Sequence, residues 1–263
     1  MFDIILGSAS LVLGYFTLLY IIALIKKDNS IVDIAWGMGF VLVGLYSLWL
    51  SPEMNWRLIL VVGLISMWGL RLSTYILLRN KGKKEDFRYA KWRQDWGKYW
   101  VIRSFIQVFL IQAFFLLTIA YPILMLSQST FVRFSCLDYL GLTIWLIGFY
   151  FQAVGDSQKS TFKNNPANKG KIMQSGLWKY TRHPNYFGES TMWWGIFIIT
   201  LNIEHGLYAI FSPMIITFLL LFVSGIPLLE KKYDGNPEFQ DYKESTIAFI
   251  PWFPKQNNRA QYH

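Results

Sequence analysis

Long apolar stretches separated by short polar segments run through the whole chain. Seven of these stretches are long enough for a helix to cross a hydrocarbon core of roughly 30 Å. They lie near residues 4–25, 31–50, 57–78, 102–126, 137–155, 186–202 and 207–229. The pattern predicts an all-α, polytopic integral membrane protein with about seven transmembrane helices, forming a single domain over residues 1–263.

The composition agrees with a membrane protein and excludes several kinds of site. Apolar residues (AVILMFWYC) make up 54% of the 263 residues and charged residues only 16%, whereas soluble domains are about 25% charged. There is one cysteine, Cys136, and there are three histidines. An intrachain disulfide and a metal site built from several Cys or His ligands are therefore excluded, and we expect no bound metal.

Basic residues are distributed unevenly between the segments that connect the apolar stretches. The segments after the first, third, fifth and seventh stretches hold 21 of the 25 Lys and Arg residues, and the opposite side receives only Arg57 and Arg133. Because positive residues stay on the cytosolic side, we expect the N-terminus outside and the C-terminus in the cytosol. The net charge of +9 mostly reflects this topology, so we expect membrane lipids and no nucleic acid as partners.

Aromatic residues recur at helical spacing between the third and fourth stretches. They are Tyr89, Trp92, Trp96 and Trp100. This spacing predicts an amphipathic helix that lies in the headgroup plane as a surface anchor. A direct contact with substrate is the alternative interpretation.

Ionisable and amide side chains occur inside the apolar stretches, and they gather near the predicted cytosolic ends. Such groups are costly in lipid and are functional candidates by default. They include Asp33, Arg71, Gln152, Asp156, Lys159, Glu189 and Glu230. We expect them to line a polar cavity that opens to the cytosol. The alternatives are boundary residues that reach the headgroups and an internal salt bridge, with Asp33 as the partner of Arg71.

The segment from Asp156 to Glu189 combines the side chains that a nucleotide with a pyrophosphate would use. Lys159 and Arg182 suit phosphates, Trp178 and Tyr180 offer faces for stacking, and Asn185 suits amide or hydroxyl groups. No G-x-G-x-x-G follows a strand, so a nucleotide site here is not a Rossmann domain. A cytosolic loop with interfacial aromatic residues is the alternative.

The motifs in this segment resemble those of a known superfamily. Asp156-x-x-Lys159, followed by Gly176-Leu-Trp-x-x-Thr-Arg-His-Pro-Asn-Tyr-x-Gly-Glu189, is similar to the C-terminal signature of the steroid 5-alpha-reductase and sterol-reductase superfamily. The chain looks closest to an uncharacterised bacterial branch. Further motifs that recur in that branch are Ser30–Trp36, Trp68–Arg71, Glu85–Tyr89 and the tail from Glu230 to Pro251.

The resemblance implies a seven-helix reductase of a bacterial inner or plasma membrane. Such an enzyme binds NADPH from the cytosol and reduces a carbon–carbon double bond in a steroid-like, isoprenoid or other lipid. Asp33 falls at the position of the family's catalytic glutamate, and Tyr75 is the next candidate for the proton donor. Most of the motifs lie within residues 152–251. The expected cofactor-binding residues are Arg71, Gln152, Asp156, Lys159, Asn165, Trp178, Tyr180, Arg182, His183, Asn185, Tyr186, Glu189, Glu230, Lys232, Tyr233 and Tyr242.

Two positions depart from the steroid reductases. Val32 replaces the glutamine that precedes their catalytic glutamate, and Trp68 stands where they have a tyrosine. The alternative function is an S-adenosylmethionine-dependent membrane methyltransferase of the isoprenylcysteine carboxyl or phospholipid type, because those enzymes share the R-H-P-x-Y-x-G motif. A non-catalytic lipid-binding protein is the third possibility.

Overall fold

The computed structural model describes residues 1–255, and the regular secondary structure in that range is entirely helical. This confirms the all-α prediction for the described part of the chain. The α-helices are α1 (Phe2–Lys26), α2 (Ile31–Leu50), α3 (Trp56–Asn80), α4 (Phe87–Trp96), α5 (Trp100–Arg103), α6 (Ile111–Ile119), α7 (Tyr121–Ser127), α8 (Cys136–Asn164), α9 (Pro184–Thr200), α10 (Phe211–Phe218), α11 (Ile226–Glu230) and α12 (Pro237–Ser245).

Six helical runs within residues 1–255 are long and apolar enough to cross a membrane, which supports a polytopic membrane protein. They are Phe2–Lys26, Ile31–Leu50, Trp56–Asn80, Phe87–Ile119, Cys136–Asn164 and Gly206–Tyr233. The predicted stretch 186–202 corresponds to α9, which has 17 residues. At 1.5 Å per residue α9 is about 26 Å long, slightly less than the hydrocarbon core. The count of seven therefore stays a prediction.

Two boundaries differ from the sequence prediction. The helix predicted over 137–155 continues to Asn164, so Asp156 and Lys159 lie within α8 and not at the start of a loop. The amphipathic helix is present as α4, which ends before Gly97, a residue with a positive φ of 50°. A short 3₁₀ turn, α5 and the π-helical segment Ser104–Leu110 then lead into α6. The polar residues after position 155 suggested an end to the fifth helix, but α8 continues because polarity alone does not stop a helix without a breaking residue.

The chain forms two compact units, which are described separately. Unit 1 comprises residues 1–135 and 200–212, and unit 2 comprises 136–199 and the chain from 213 onward. In unit 1, α2 and α3 approach at Gly37 and Gly69, where a Cβ on Gly69 would lie 2.6 Å from the Gly37 carbonyl oxygen. Gly37 and Gly69 therefore serve helix packing. The prediction of a single domain stays a prediction.

Unit 2 is organised by glycines on two antiparallel helices. On α8 they are Gly141, Gly148 and Gly155, and on α9 they are Gly188 and Gly195. A Cβ on Gly141 would lie 2.5 Å from the Gly195 carbonyl oxygen, and one on Gly148 would lie 2.6 Å from that of Gly188. These glycines let the two backbones touch, as small residues do between membrane helices. The polar side chains beside them are thereby brought within hydrogen-bond range.

We expect Gly141→Ala to destabilise the protein, because its methyl group would collide with the backbone of α9. Overpacking of this kind costs about 1–3 kcal/mol, which a thermal melt in detergent would register as a lower Tm. Gly63→Ala in α3 is the matched control, since a Cβ there meets no atom within 4 Å. An equal or higher Tm for Gly141→Ala would contradict the close packing of α8 on α9.

Candidate functional site

Two amide–carboxylate pairs connect α8 to α9 beside the glycines in unit 2. The Gln152 Nε2 group donates to Glu189 at 3.1 Å, and the Asn185 Nδ2 group donates to Asp156 at 3.2 Å. Gln152, Asp156 and Glu189 are buried. Because a carboxylate only accepts hydrogen bonds, each amide must present its NH₂ group to its partner. The orientation of both amides is therefore determined by the network.

Three buried acceptor atoms in this region have no hydrogen-bond partner among residues 1–255. They are Gln152 Oε1, Asn185 Oδ1 and His183 Nδ1. A buried polar atom without a partner costs about 1–3 kcal/mol, so each one calls for a partner such as a bound water or a ligand. These three acceptor atoms suit a ligand that offers N–H or O–H donors.

The Glu230 carboxylate is the charge at the centre of a second cluster in unit 2. Its Oε1 atom accepts from Arg182 Nε at 2.9 Å and from His183 Nε2 at 3.1 Å. Lys243 Nζ lies 3.6 Å from Oε2. Glu230 is 8% exposed, Arg182 7% and His183 5%. A buried carboxylate requires such partners, because an unpaired charge is very costly away from water.

Arg182 also holds the C-terminal segment. Its Nη1 group donates to the carbonyl oxygens of Thr246 and Lys243, the latter at 3.2 Å. Its backbone N–H donates to the carbonyl of Ile247 at 2.9 Å. The neighbouring Thr181 Oγ1 bonds two further carbonyls of the same segment, those of Ala248 and Phe249. The Thr-Arg-His motif therefore binds the chain's own tail.

Trp178 and Tyr242, two of the expected cofactor contacts, take part in the same packing. Trp178 Nε1 donates to the Gly155 carbonyl at 3.0 Å, and the Tyr242 hydroxyl donates to the Trp178 carbonyl. Both side chains are buried. Burial raises the pKa of Tyr242 well above its ordinary value, so this phenol stays a donor.

His183 is held as a neutral ring. Burial is the largest influence and lowers the pKa of His183 below its ordinary value, although the hydrogen bond to Glu230 opposes this shift. A neutral ring that donates from Nε2 carries a lone pair on Nδ1. The ring lies parallel to Tyr186, with centroids 5.4 Å apart.

The remaining expected cofactor residues of unit 2 lie nearer the surface. Lys159 Nζ sits 4.4 Å from the Trp178 ring centroid, Tyr180 packs on Phe253, and Tyr233 stacks on Phe239. Asn165 is exposed and accepts from the Ala167 N–H, and Lys232 is also exposed. None of these contacts tests a role in cofactor binding, which stays a prediction.

In unit 1, Asp33 is bound by two residues of α4. Arg88 Nη2 donates to Oδ2 at 2.7 Å, and the Tyr89 hydroxyl donates to Oδ1 at 2.6 Å. Tyr89 is 3% exposed, so it does not serve as the headgroup anchor that its spacing suggested. Arg71 was considered from the sequence as the salt-bridge partner of Asp33. Its guanidinium lies 5.9 Å from the Tyr75 ring centroid.

The loop before α4 is attached to the start of α2 by further polar contacts, which sequence reasoning missed. Asn29 N–H donates to Glu85, whose carboxylate is also bound by Arg93. Asp86 N–H donates to Ser30 Oγ at 2.7 Å. Burial opposes ionisation of Asp86, but the hydrogen bond and charge of Arg88 outweigh it and keep the pKa of Asp86 below its usual range. The Glu85–Tyr89 motif indicated that this loop matters, but the sequence around it did not identify the residues that it contacts.

We expect Arg182→Lys to loosen the C-terminal segment, because lysine cannot bind Glu230 and two carbonyls together. Loss of two charge-assisted hydrogen bonds should cost about 3 kcal/mol, at roughly 1.5 kcal/mol each. Hydrogen exchange should show faster exchange of the Trp252 amide, which donates to the Tyr180 carbonyl. Lys171→Arg, at an exposed position, is the control. A protected tail together with weakened NADPH binding would instead assign Arg182 to the nucleotide.

Comparisons with known proteins find distant relatives that carry different descriptions. An uncharacterised protein of Schizosaccharomyces pombe is 25% identical over 92% of this chain and 77% of its own length. The 3-oxo-5-alpha-steroid 4-dehydrogenase 1 of Bos taurus is 29% identical over 43% of this chain and 40% of its own. A probable O-methyltransferase of Ustilaginoidea virens is 41% identical over 18% of this chain and 16% of its own.

No solved structure matches the chain. The similarity to the bovine dehydrogenase supports the steroid-reductase-like superfamily, whereas the bacterial branch expected from the motifs is not among these relatives. The profile of one family matches residues 19–246, which is most of the chain. The chain therefore belongs to the family described as "Protein of unknown function (DUF1295)".

Proposed function

We propose that this protein is a membrane-embedded, NADPH-dependent reductase of a carbon–carbon double bond in a steroid-like, isoprenoid or other lipid. One observation carries the proposal. The Glu189 carboxylate orients the Gln152 amide, and the Asp156 carboxylate orients the Asn185 amide. The side-chain oxygens of both amides are thereby left buried without a hydrogen-bond donor among residues 1–255. The distant similarity to a 3-oxo-5-alpha-steroid 4-dehydrogenase supports the reaction class.

The three acceptor atoms fit the polar parts of a nicotinamide nucleotide. Ribose hydroxyls and a carboxamide NH₂ are donors, and Gln152 Oε1, Asn185 Oδ1 and His183 Nδ1 are the acceptors that would hold them. Lys159, on the same helix as Gln152, would contribute positive charge for phosphate. NADPH, when bound, supplies the hydride.

A carboxyl or phenol side chain is proposed to deliver the proton. Negative charge develops on the acceptor as hydride adds, and a positioned donor stabilises it. We assign this role to Asp33, with Tyr75 as the second candidate. Since both oxygens of Asp33 accept hydrogen bonds in this structure, a proton must reach Asp33 before it can act as an acid.

We also propose that α9 is a seventh crossing, with the N-terminus outside, the C-terminus in the cytosol and the nucleotide site facing the cytosol. The distribution of Lys and Arg supports this orientation, and a short crossing is accommodated by local thinning of the bilayer. A reporter fused after residue 170 should therefore report the cytosol. A report from the opposite side would reverse the assignment.

The similarity to a probable O-methyltransferase supports a second candidate, an S-adenosylmethionine-dependent membrane methyltransferase. The ribose hydroxyls of that cofactor would also donate to the three free acceptors. Mass spectrometry of the small molecule that co-purifies in detergent separates the two functions. NADP(H) supports the reductase, and S-adenosylmethionine or its demethylated product overturns it.

We expect Gln152→Leu to weaken NADPH binding, because it removes an acceptor while keeping a side chain of similar size. The loss should be at least about tenfold, or roughly 1.4 kcal/mol, in a fluorescence titration. Asn168→Ala is a control, since the Asn168 side-chain amide donates to the Phe162 carbonyl near the end of α8 and to none of the three acceptor atoms. If Gln152→Leu binds NADPH with wild-type affinity, the nucleotide does not bind at this cluster.

We expect Asp33→Asn to reduce turnover by about a hundredfold or more while NADPH still binds. Turnover is measured as NADPH oxidation with whichever enone lipid the wild-type protein reduces. Arg88→Gln is the matched control, because it breaks the same ion pair but keeps the carboxyl. If Asp33 only attaches α4, the two variants should lose thermal stability and activity in parallel. Wild-type turnover of Asp33→Asn would leave Tyr75 as the donor.

A further inference from the structure

A basic groove in unit 1 has no part in the proposed reaction. One wall is formed by the end of α3 and the loop that follows it, with Lys81, Lys83 and Lys84. The other wall comes from the start of α2 and includes Ile34. Leu77 of α3 also faces the groove and is 53% exposed. The groove therefore combines a cationic rim with apolar side chains.

The three lysines keep their charges available. All three are exposed, and none of their ammonium groups makes a hydrogen bond or an ion pair with any residue between 1 and 255. Asp28 is the one acidic residue in the lining, and its carboxylate accepts from the Ser30 N–H at 2.8 Å. With three lysines and one aspartate, the lining has a formal net charge of +2.

The groove lies where the apolar parts of two candidate membrane helices end. α3 ends at Asn80 and α2 begins at Ile31, so Lys81 and its neighbours follow a membrane crossing directly. Lysines in this place complement the negative end of a helix, but that role needs no groove and no apolar wall. Phosphate groups of lipids occupy this depth, and each Lys near an anionic membrane surface contributes about 1 kcal/mol.

We propose that this groove binds the headgroup of an anionic phospholipid. The ammonium groups of Lys81, Lys83 and Lys84 hold the phosphate, and Ile34 and Leu77 contact the first methylenes of an acyl chain. The assignment is independent of the reductase, since it uses none of the residues proposed to bind the nucleotide or to deliver the proton. It predicts a lipid that stays bound when the protein is extracted from the membrane.

Native mass spectrometry of the full chain in detergent tests the proposal, with phosphatidylglycerol and phosphatidylcholine offered in equal amounts. We expect the wild-type protein to retain phosphatidylglycerol preferentially. The triple variant Lys81→Gln, Lys83→Gln, Lys84→Gln should lose this preference by at least about tenfold. Replacing the same three lysines with arginine should preserve it. A lipid-free thermal melt shows whether each variant is folded.

The control removes the same number of charges from exposed lysines of unit 2, as Lys169→Gln, Lys171→Gln, Lys255→Gln. The proposal requires this control to keep the wild-type preference. An equal loss in the control would mean that total charge alone attracts the lipid, and would overturn the site. Displacement of the lipid by millimolar inorganic phosphate would overturn it too, since it would identify a site for free phosphate.

Discussion

The buried carboxylate of Glu230 is the constraint on which unit 2 depends. It follows a break in the helical run near Gly225. Because Glu230 is buried, its charge would be very costly without partners. Arg182 and His183 satisfy it from the segment before α9, and Arg182 extends the same network to the tail carbonyls. One charge thereby joins three separate parts of the chain.

The sequence predicted those features that depend on local pattern. Hydrophobic length located the candidate spans, because the cost of exposing backbone in lipid forces each of them into a helix. Gln152, Asp156 and Lys159 all lie in α8, and their spacing of four and three residues puts them on one face of that helix. The end of α8 was predicted too early, since polar residues in 156–164 resemble those of a loop but contain nothing that terminates a helix.

Partner choice was much harder to predict than helix position. Asp33 was considered with Arg71, yet its carboxylate is bound by Arg88 and Tyr89 of a helix expected to lie in the headgroups. The two arginines are equally plausible from sequence, because pairing depends on how the loop before α4 folds back onto α2. Similarly, Arg182 has the chemistry of a phosphate ligand, while its contacts in this structure are with the chain itself.

The regular spacing of the glycines in unit 2 has a consequence for assembly. Gly141, Gly148 and Gly155 on α8 and Gly188 and Gly195 on α9 repeat every seven residues. A slide of one repeat, about 10 Å, would again place glycine against glycine, so backbone packing alone permits two alignments. In the shifted alignment Gln152 and Asp156 would face Ile196 and Met192 in place of Glu189 and Asn185. The buried amide–carboxylate pairs therefore select one of two otherwise equivalent registers, which makes them determinants of folding even before any ligand binds.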